Sequence, residues 1–99
     1  MRTLALVAAL GLAVAAPAAA QSNGSSLTLQ NADNAPARVI IDSASWSCEG
    51  ATCVANGGAE QPATRACRRV VARLGAVTEF TWKGVTLSAD QLAACNAAA

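Results

Sequence analysis

Four cysteines are the residues of this chain with the most versatile chemistry: Cys48, Cys53, Cys67 and Cys95. Cysteine thiolates can act as redox centres, bind zinc or form disulfides. The cysteine spacings contain no C-x-x-C pair and the chain has no histidine, which disfavours a zinc site and a catalytic dithiol. An even number of cysteines in an oxidising compartment indicates two disulfides, with three possible connectivities.

Groups for general acid–base catalysis are scarce. Histidine is the side chain most often used near neutral pH, and the chain contains neither histidine nor tyrosine. No two carboxylates stand at a spacing that obviously places them across a cleft, and the serines lack the sequence context of an activated nucleophile. We therefore expect no catalytic residues, no metal site and no cofactor. A small enzyme or redox protein with an unrecognised site is the alternative class.

Positive charge is concentrated in one segment, which carries Arg65, Arg68, Arg69 and Arg73. Guanidinium groups on one helix face can bind carboxylates or phosphates of a partner, although most such faces are simply solvated. The net charge of the whole chain is only +1, so charge gives no argument for nucleic acid as a partner. The segment is therefore a candidate binding face for an envelope protein or an anionic envelope component.

Two predicted strands surround the first two cysteines. The segment from Arg38 to Cys48 is rich in β-branched residues and reads as extended. Asp42 interrupts its apolar face, so a strand that begins only near Ala44 is the alternative. A second strand covers Cys53 to Ala55. The period of two places these residues of the first strand on a common face: Ile40, Asp42, Ala44, Trp46 and Cys48.

The connection between these strands predicts a disulfide. Gly50 and Ala51 fit a two-residue type II′ turn, which favours glycine at its first position. The resulting cross-strand pairs are Glu49 with Thr52, Cys48 with Cys53, and Trp46 with Ala55. Opposite residues at such a site approach closely enough for a disulfide, which leaves Cys67 and Cys95 to form the second bridge.

The arginine segment reads as an amphipathic helix that has Pro62 in its first turn and Gly75 at its end. Its apolar stripe contains Ala63, Ala66, Cys67, Val70, Val71 and Leu74. A strand from Ala76 to Trp82 follows, with these side chains predicted to point inward: Ala76, Thr78, Phe80 and Trp82.

The chain closes with a predicted turn at Lys83-Gly84 and a second helix. Ser88 and Gln91 form a capping box at the start of this helix. Cys95 lies on the same face as Leu92, so the predicted Cys67–Cys95 bridge joins the two helices. The three aromatic residues, Trp46, Phe80 and Trp82, are expected in the core rather than on a ligand-binding surface.

The N-terminus has the pattern of a cleavable secretory signal peptide over residues 1–20. Arg2 precedes the apolar run Leu4–Ala16. This run is shorter than a membrane-spanning helix, which needs about 20 residues. Small residues at Ala18–Ala20 predict cleavage before Gln21, and an uncleaved membrane anchor is the alternative. We expect a flexible polar lead-in over residues 21–36, with at most a short edge strand at Leu27–Leu29, and a single domain over residues 37–99.

The pattern from Trp46 to Asn96 resembles a family of small exported four-cysteine proteins of unknown function from alphaproteobacteria. It reads W-x-C-x-x-x-x-C-x-A, then Pro62 before a helix cysteine, a glycine that closes the helix, a phenylalanine strand and a terminal L-x-x-C-N. The resemblance implies a Gram-negative periplasmic or secreted setting. It implies no activity.

The sequence predicts a small disulfide-stabilised α+β domain. Its antiparallel sheet consists of the hairpin and one or two further strands, and two helices pack on one face of the sheet. The preferred function is a non-catalytic periplasmic or secreted protein that binds another protein or an envelope component, for instance as an inhibitor. A structural envelope factor is a further alternative. No nucleic acid partner and no membrane span after signal cleavage are expected.

Overall fold

A computed structural model describes residues 24–99 of the 99-residue chain. The predicted signal peptide and its cleavage site lie outside the described residues. The fold is a six-stranded antiparallel sheet with two α-helices. The predicted α+β class, antiparallel sheet and two helices are confirmed, but the sheet has more strands than the predicted hairpin with one or two further strands. The elements in chain order are β1 (Ser25–Leu29), a 3-10 helix (Ala32–Asn34), β2 (Arg38–Ile41), β3 (Ala44–Glu49), β4 (Thr52–Gly57), α1 (Ala63–Leu74), β5 (Val77–Trp82), β6 (Val85–Thr86) and α2 (Ala89–Asn96).

Strand β1 lies in the middle of the sheet, not at its edge. The strand order is β2-β3-β4-β1-β5-β6, so β1 pairs with β4 on one side and with β5 on the other. Leu27 and Leu29 are almost fully buried, while Ser26 and Thr28 face the other side. The short strand predicted at Leu27–Leu29 is therefore present and begins at Ser25, but its edge position and its placement in a flexible lead-in were wrong. A short serine- and threonine-rich strand gives little local signal when its partners are distant in sequence.

Strands β2 and β3 form a hairpin where the sequence predicted one extended segment. The alternative start near Ala44 is confirmed for β3, while the separate strand β2 was not foreseen. Asp42 and Ser43 make the two-residue turn, with φ of 49° and 69°, as a type I′ turn requires. The turn reverses the alternation, so Ile41 pairs with Ala44 on the buried face while Ile40 is 66% exposed. Placing Ile40 and Asp42 on the buried face of Trp46 was therefore wrong.

The β3–β4 hairpin confirms the predicted register. Glu49 pairs with Thr52 across the turn, Cys48 pairs with Cys53, and Trp46 pairs with Ala55, which is buried. Gly50 has the positive φ of 62° that the first turn position needs. The Cα atoms of Cys48 and Cys53 are 4.0 Å apart and the two cysteines form the predicted disulfide.

Helix α1 packs its apolar stripe onto the sheet. Ala66, Cys67, Val70, Val71 and Leu74 are buried, and Ala63 is half-buried. The helix ends at Gly75, whose φ of 95° suits the glycine that was predicted there.

One face assignment on β5 was wrong. Val77, rather than Thr78, points inward, because the pairing with β1 shifts between Thr28 and Leu29. Thr78 is the extra residue of this bulge, and two residues of β5 oppose one of β1 there. Phe80 and Trp82 keep their predicted inward orientation.

Helix α2 is joined to α1 and to the sheet. Ser88 and Gln91 form the predicted capping box at its start. The Cys67–Cys95 disulfide links the two helices, as predicted. Near the helix end, the Asn96 side chain donates a hydrogen bond to Val77 O (2.8 Å) and accepts one from Val77 N (2.9 Å). The last helix is thereby fixed to the start of β5.

The aromatic residues form the centre of one hydrophobic core between the helices and the sheet. Trp46 and Phe80 are fully buried and Trp82 is 3% exposed. The ring centroid of Trp46 lies 6.1 Å from that of Phe80 and 6.5 Å from that of Trp82. These side chains are core residues and present no surface to a ligand. Within residues 24–99, neither helix combines the length and apolar character needed to cross a lipid bilayer.

Candidate functional site

The candidate site is the exposed face of helix α1, defined as Arg65, Arg68, Arg69 and Arg73 and called the arginine face below. All four residues are exposed, on the side of the helix opposite the buried stripe. The helix sequence, ATRACRRVVARL, contains no acidic residue that could neutralise them from within the helix. The predicted exposure of these arginines is therefore correct, and the face is strongly cationic.

Within the described residues, Arg69 is the one member of the face that is held by an ion pair. Its Nε donates to Asp42 Oδ2 and its Nη2 donates to Asp42 Oδ1, both at 3.1 Å. Gln61 Nε2 donates a third hydrogen bond to the Asp42 carboxylate, at 3.3 Å. The Arg69 hydrogen bonds, followed by the Gln61 hydrogen bond, hold the pKa of Asp42 below its usual range.

The other three arginines form no ion pair with any residue from 24 to 99. The ion pairs in that range are Arg69 with Asp42 and Lys83 with Glu60. The guanidinium groups of Arg65, Arg68 and Arg73 therefore remain available to an incoming anion. A planar guanidinium can donate two parallel hydrogen bonds to one carboxylate, which favours carboxylate or phosphate ligands.

Two shallow grooves flank the Arg69–Asp42 pair. The first, of about 430 Å³, lies between strand β2 and the C-terminal half of α1; it is called the β2–α1 groove and is lined by Ile40, Ile41, Asp42, Arg68, Arg69, Ala72 and Arg73. The second, of about 480 Å³, lies at the start of α1 and is lined by Asp42, Ser43, Ala59, Glu60, Gln61, Pro62, Arg65 and Arg69.

The two grooves differ in charge. The groove at the start of α1 contains Glu60, whose carboxylate accepts a 2.8 Å hydrogen bond from Lys83 Nζ. That hydrogen bond lowers the pKa of Glu60, so this carboxylate is ionised at neutral pH. The β2–α1 groove has two free arginines, Arg68 and Arg73, and only the already paired Asp42 as an acid. An anion is therefore better accommodated in the β2–α1 groove.

Sequence reasoning missed the partners of the arginine face. The hairpin that adjoins the face is β2–β3, whose turn carries Asp42. The Gly50-Ala51 turn of the β3–β4 hairpin lies at the other end of β3. The one signal was Asp42 itself, a charged residue that interrupts an otherwise apolar run. In the described part of the chain, no group of three acidic or cysteine side chains is arranged to hold a metal ion.

Comparison with known proteins gives a family but no activity. A model of a family of unknown function, DUF8200, matches residues 8–97, which is most of the chain. No curated protein and no solved structure shows significant similarity to the chain.

Proposed function

We propose that this chain, which belongs to the DUF8200 family of unknown function, is an exported protein that binds an anionic partner through its arginine face. The protein works in the periplasm or outside the cell and catalyses no reaction. Its partner is a component of the cell envelope that presents carboxylates or other anionic groups.

One observation carries the proposal: three arginines that have no ion-pair partner among residues 24–99 project from a helix that has no acidic residue. The helix is anchored on its opposite side by five buried side chains and by the Cys67–Cys95 bridge. Because the backbone is held in place, the loss of conformational entropy on binding is confined to the arginine side chains. The face is therefore organised before the partner arrives.

Both disulfides support export. Disulfides form and persist in secreted and periplasmic proteins and are rare in the cytosol. All four cysteines are paired in two bridges. Together with the predicted signal peptide, these bridges favour export, and the Gram-negative, alphaproteobacterial envelope is the setting that the resemblance implies. Intact-mass measurement of protein recovered from periplasm and medium should give a chain that begins at Gln21. A mass that retains Met1 would contradict export by cleavage.

Binding is tested with a variant that removes the free charges and leaves the Arg69–Asp42 pair intact. The triple variant Arg65→Gln, Arg68→Gln and Arg73→Gln should lose capture of anionic components from an envelope extract. Its matched control replaces the same three residues with lysine, which keeps the charge and loses the forked hydrogen bonds. Since exposed charges are screened over about 8 Å at physiological salt, capture by the wild type should weaken as salt rises.

The outcome of this comparison is decisive. Loss of capture in the glutamine variant, with part of the capture retained in the lysine variant, supports a binding face for anions. If the wild type and the glutamine variant recover the same components with the same salt dependence, the arginine face is only a solvated helix surface. The exposed Glu49–Thr52 hairpin tip would then be the next surface to test.

A further inference from the structure

The outer edge of strand β2 carries backbone groups that no other strand covers. β2 lies at the end of the sheet and pairs with β3 alone. Across a two-residue turn the flanking residues form the first hydrogen-bonded pair, so Val39 and Ile41 bond to β3. The N–H and C=O groups of Arg38 and Ile40 therefore point away from the sheet, and neither residue forms a further backbone hydrogen bond within residues 24–99.

The side chains beside this edge are apolar on one strand and cationic on the neighbouring helix. Ile40 is 66% exposed, which makes it the most exposed large apolar side chain among residues 24–99. It lines the β2–α1 groove together with Arg68 and Arg73. A natural sheet protects its open edges with charge, bulges or covering segments, because a free edge can pair with another chain. Here an apolar side chain remains exposed at the edge.

We propose that an extended acidic segment of a partner protein adds to β2 as a further strand. This strand addition rests on the proposed function and specifies the kind of partner that the arginine face binds. The added strand lies about 4.8 Å from β2 and bonds to the free N–H and C=O groups of Arg38 and Ile40. Its alternate side chains reach opposite faces. Carboxylates on one face bind Arg68 and Arg73, and apolar side chains on the other pack beside Ile40.

Charge distinguishes this occupant from the other candidates. A second copy of the chain paired edge to edge would bring Arg38, Arg68 and Arg73 against the same residues of its mate, and like charges at close range are unfavourable. Residues 1–23 contain no Asp or Glu, so that segment has no carboxylate for the groove. An anionic polysaccharide has the charge but no regular row of amide donors and acceptors to match the strand edge.

The test uses the mature protein, starting at Gln21, and synthetic capped peptides. The probe alternates glutamate and valine, and a control peptide of identical composition places the glutamates in one block. Two further versions of the alternating peptide carry N-methyl groups on alternate backbone nitrogens. One version blocks the N–H groups along one edge of the peptide strand, and the other blocks those along the opposite edge. Affinity is measured by titration calorimetry, and backbone amides are followed by NMR hydrogen exchange.

Strand addition predicts that the alternating peptide binds and that the block peptide binds at least about tenfold more weakly. One of the two N-methylated versions should lose binding while the other retains it, because only one edge of the added strand faces β2. In the free protein the amides of Arg38 and Ile40 should exchange faster than those of Val39 and Ile41. The peptide should slow exchange at Arg38 and Ile40.

A variant separates this proposal from the function on which it rests. Ile40→Pro removes the outward N–H and leaves the bonds to β3 in place, since proline is accepted at a solvent-facing edge position; Ile40→Thr keeps the N–H. Ile40→Pro should weaken the peptide at least about tenfold more than Ile40→Thr does.

Several results would overturn strand addition. Equal binding of alternating and block peptides, with no protection of the Ile40 amide, would leave anion binding by the arginine face standing and would refute the strand. Tighter binding of polygalacturonate than of the peptide, abolished in the arginine-to-glutamine triple variant, would assign the face to a saccharide. A dimer that forms without peptide and protects the Ile40 amide would assign the edge to a second copy. Absence of binding to any polyanion would refute both proposals.

Discussion

Arg69 of helix α1 donates two hydrogen bonds of 3.1 Å to Asp42 in the β2–β3 turn, 27 residues away in the chain. The pair joins the helix to the end of the outermost hairpin, and Gln61 adds a third donor to the same carboxylate. It also separates the two grooves on the arginine face. Arg69 is therefore a positioning residue: it fixes the β2 edge relative to Arg68 and Arg73, whose own charges remain free.

The Asp42–Arg69 pair should make stability sensitive to acid. Its hydrogen bonds lower the pKa of Asp42 from a usual value of 3.8. Because the folded-state pKa lies below the unfolded-state value, the ionised carboxylate stabilises the fold above that unfolded value. The contribution disappears as the pH falls through the folded-state pKa. The urea midpoint of the wild type should therefore fall more steeply between about pH 5 and about pH 2 than that of Asp42→Asn.

Asparagine is the appropriate replacement at this position because it tolerates the positive φ of the turn and keeps the side-chain shape. Glu49→Gln is the control, since Glu49 is exposed and makes no ion pair within residues 24–99. Some acid sensitivity should remain in Asp42→Asn, because Lys83 also lowers the pKa of Glu60. Superimposable curves for the wild type and Asp42→Asn would show that the pair does not stabilise the fold.

The two disulfides should contribute unequally to stability. On the chain-entropy model the short hairpin bridge contributes roughly 2.2 kcal/mol and the long interhelical bridge roughly 3.6 kcal/mol. Replacing both Cys67 and Cys95 with alanine should therefore lower the melting temperature more than replacing both Cys48 and Cys53. The double replacements avoid a free thiol, and each measures one bridge. A larger loss for the Cys48 and Cys53 pair would contradict the model.

Gly58 should be far less tolerant of alanine than Gly50. A Cβ atom at Gly58 would lie 2.5 Å from Cη2 of the buried Trp82 and 3.0 Å from Cβ of Ala44. At Gly50 a Cβ meets nothing within 4 Å. Both glycines have positive φ, so each substitution costs about 1–2 kcal/mol from the backbone alone.

Only Gly58→Ala adds the overpacking cost of about 1–3 kcal/mol. Urea unfolding should therefore give a lower free energy of unfolding for Gly58→Ala than for Gly50→Ala, with a changed near-ultraviolet circular dichroism signal from the tryptophans. Equal free energies would indicate that the Gly58 loop moves away from Trp82 at no cost.

Strand β1 should be indispensable for folding. A chain that begins at Gln30 lacks β1, which leaves the facing edges of β4 and β5 without partners and removes the buried Leu27 and Leu29. We expect this truncation to be unfolded by circular dichroism. A chain that begins at Gly24 retains β1 and is the control. A cooperative thermal transition in the shorter chain would contradict a central role for β1.

Features fixed by neighbouring residues could be predicted from the sequence. Gly50 between Cys48 and Cys53 determines a turn type, a register and a disulfide at once, and all three are present. The stripe of α1 follows from the helical period, so the exposure of the arginines was predictable. In each case the decisive interactions lie within one turn of a helix or one hairpin.

Features that depend on distant pairing could not be predicted in this way. The Asp42-Ser43 turn lacks the glycine that usually marks a type I′ turn, so β2 and β3 read as one extended segment. Thr78 is displaced by a bulge that arises only when β5 pairs with β1. The contact of Asp42 with Arg69 depends on both the turn and the packing of α1, and no local pattern encodes it.

The central position of β1 has a consequence for the order in which the domain is assembled. Synthesis delivers a chain from its N-terminus, yet Ser26 pairs with Val54 and with Thr81. Strand β1 therefore has no complete set of partners until both β4 and β5 have been synthesised. The hairpins β2–β3 and β3–β4, by contrast, have all their residues available well before β5 has been made.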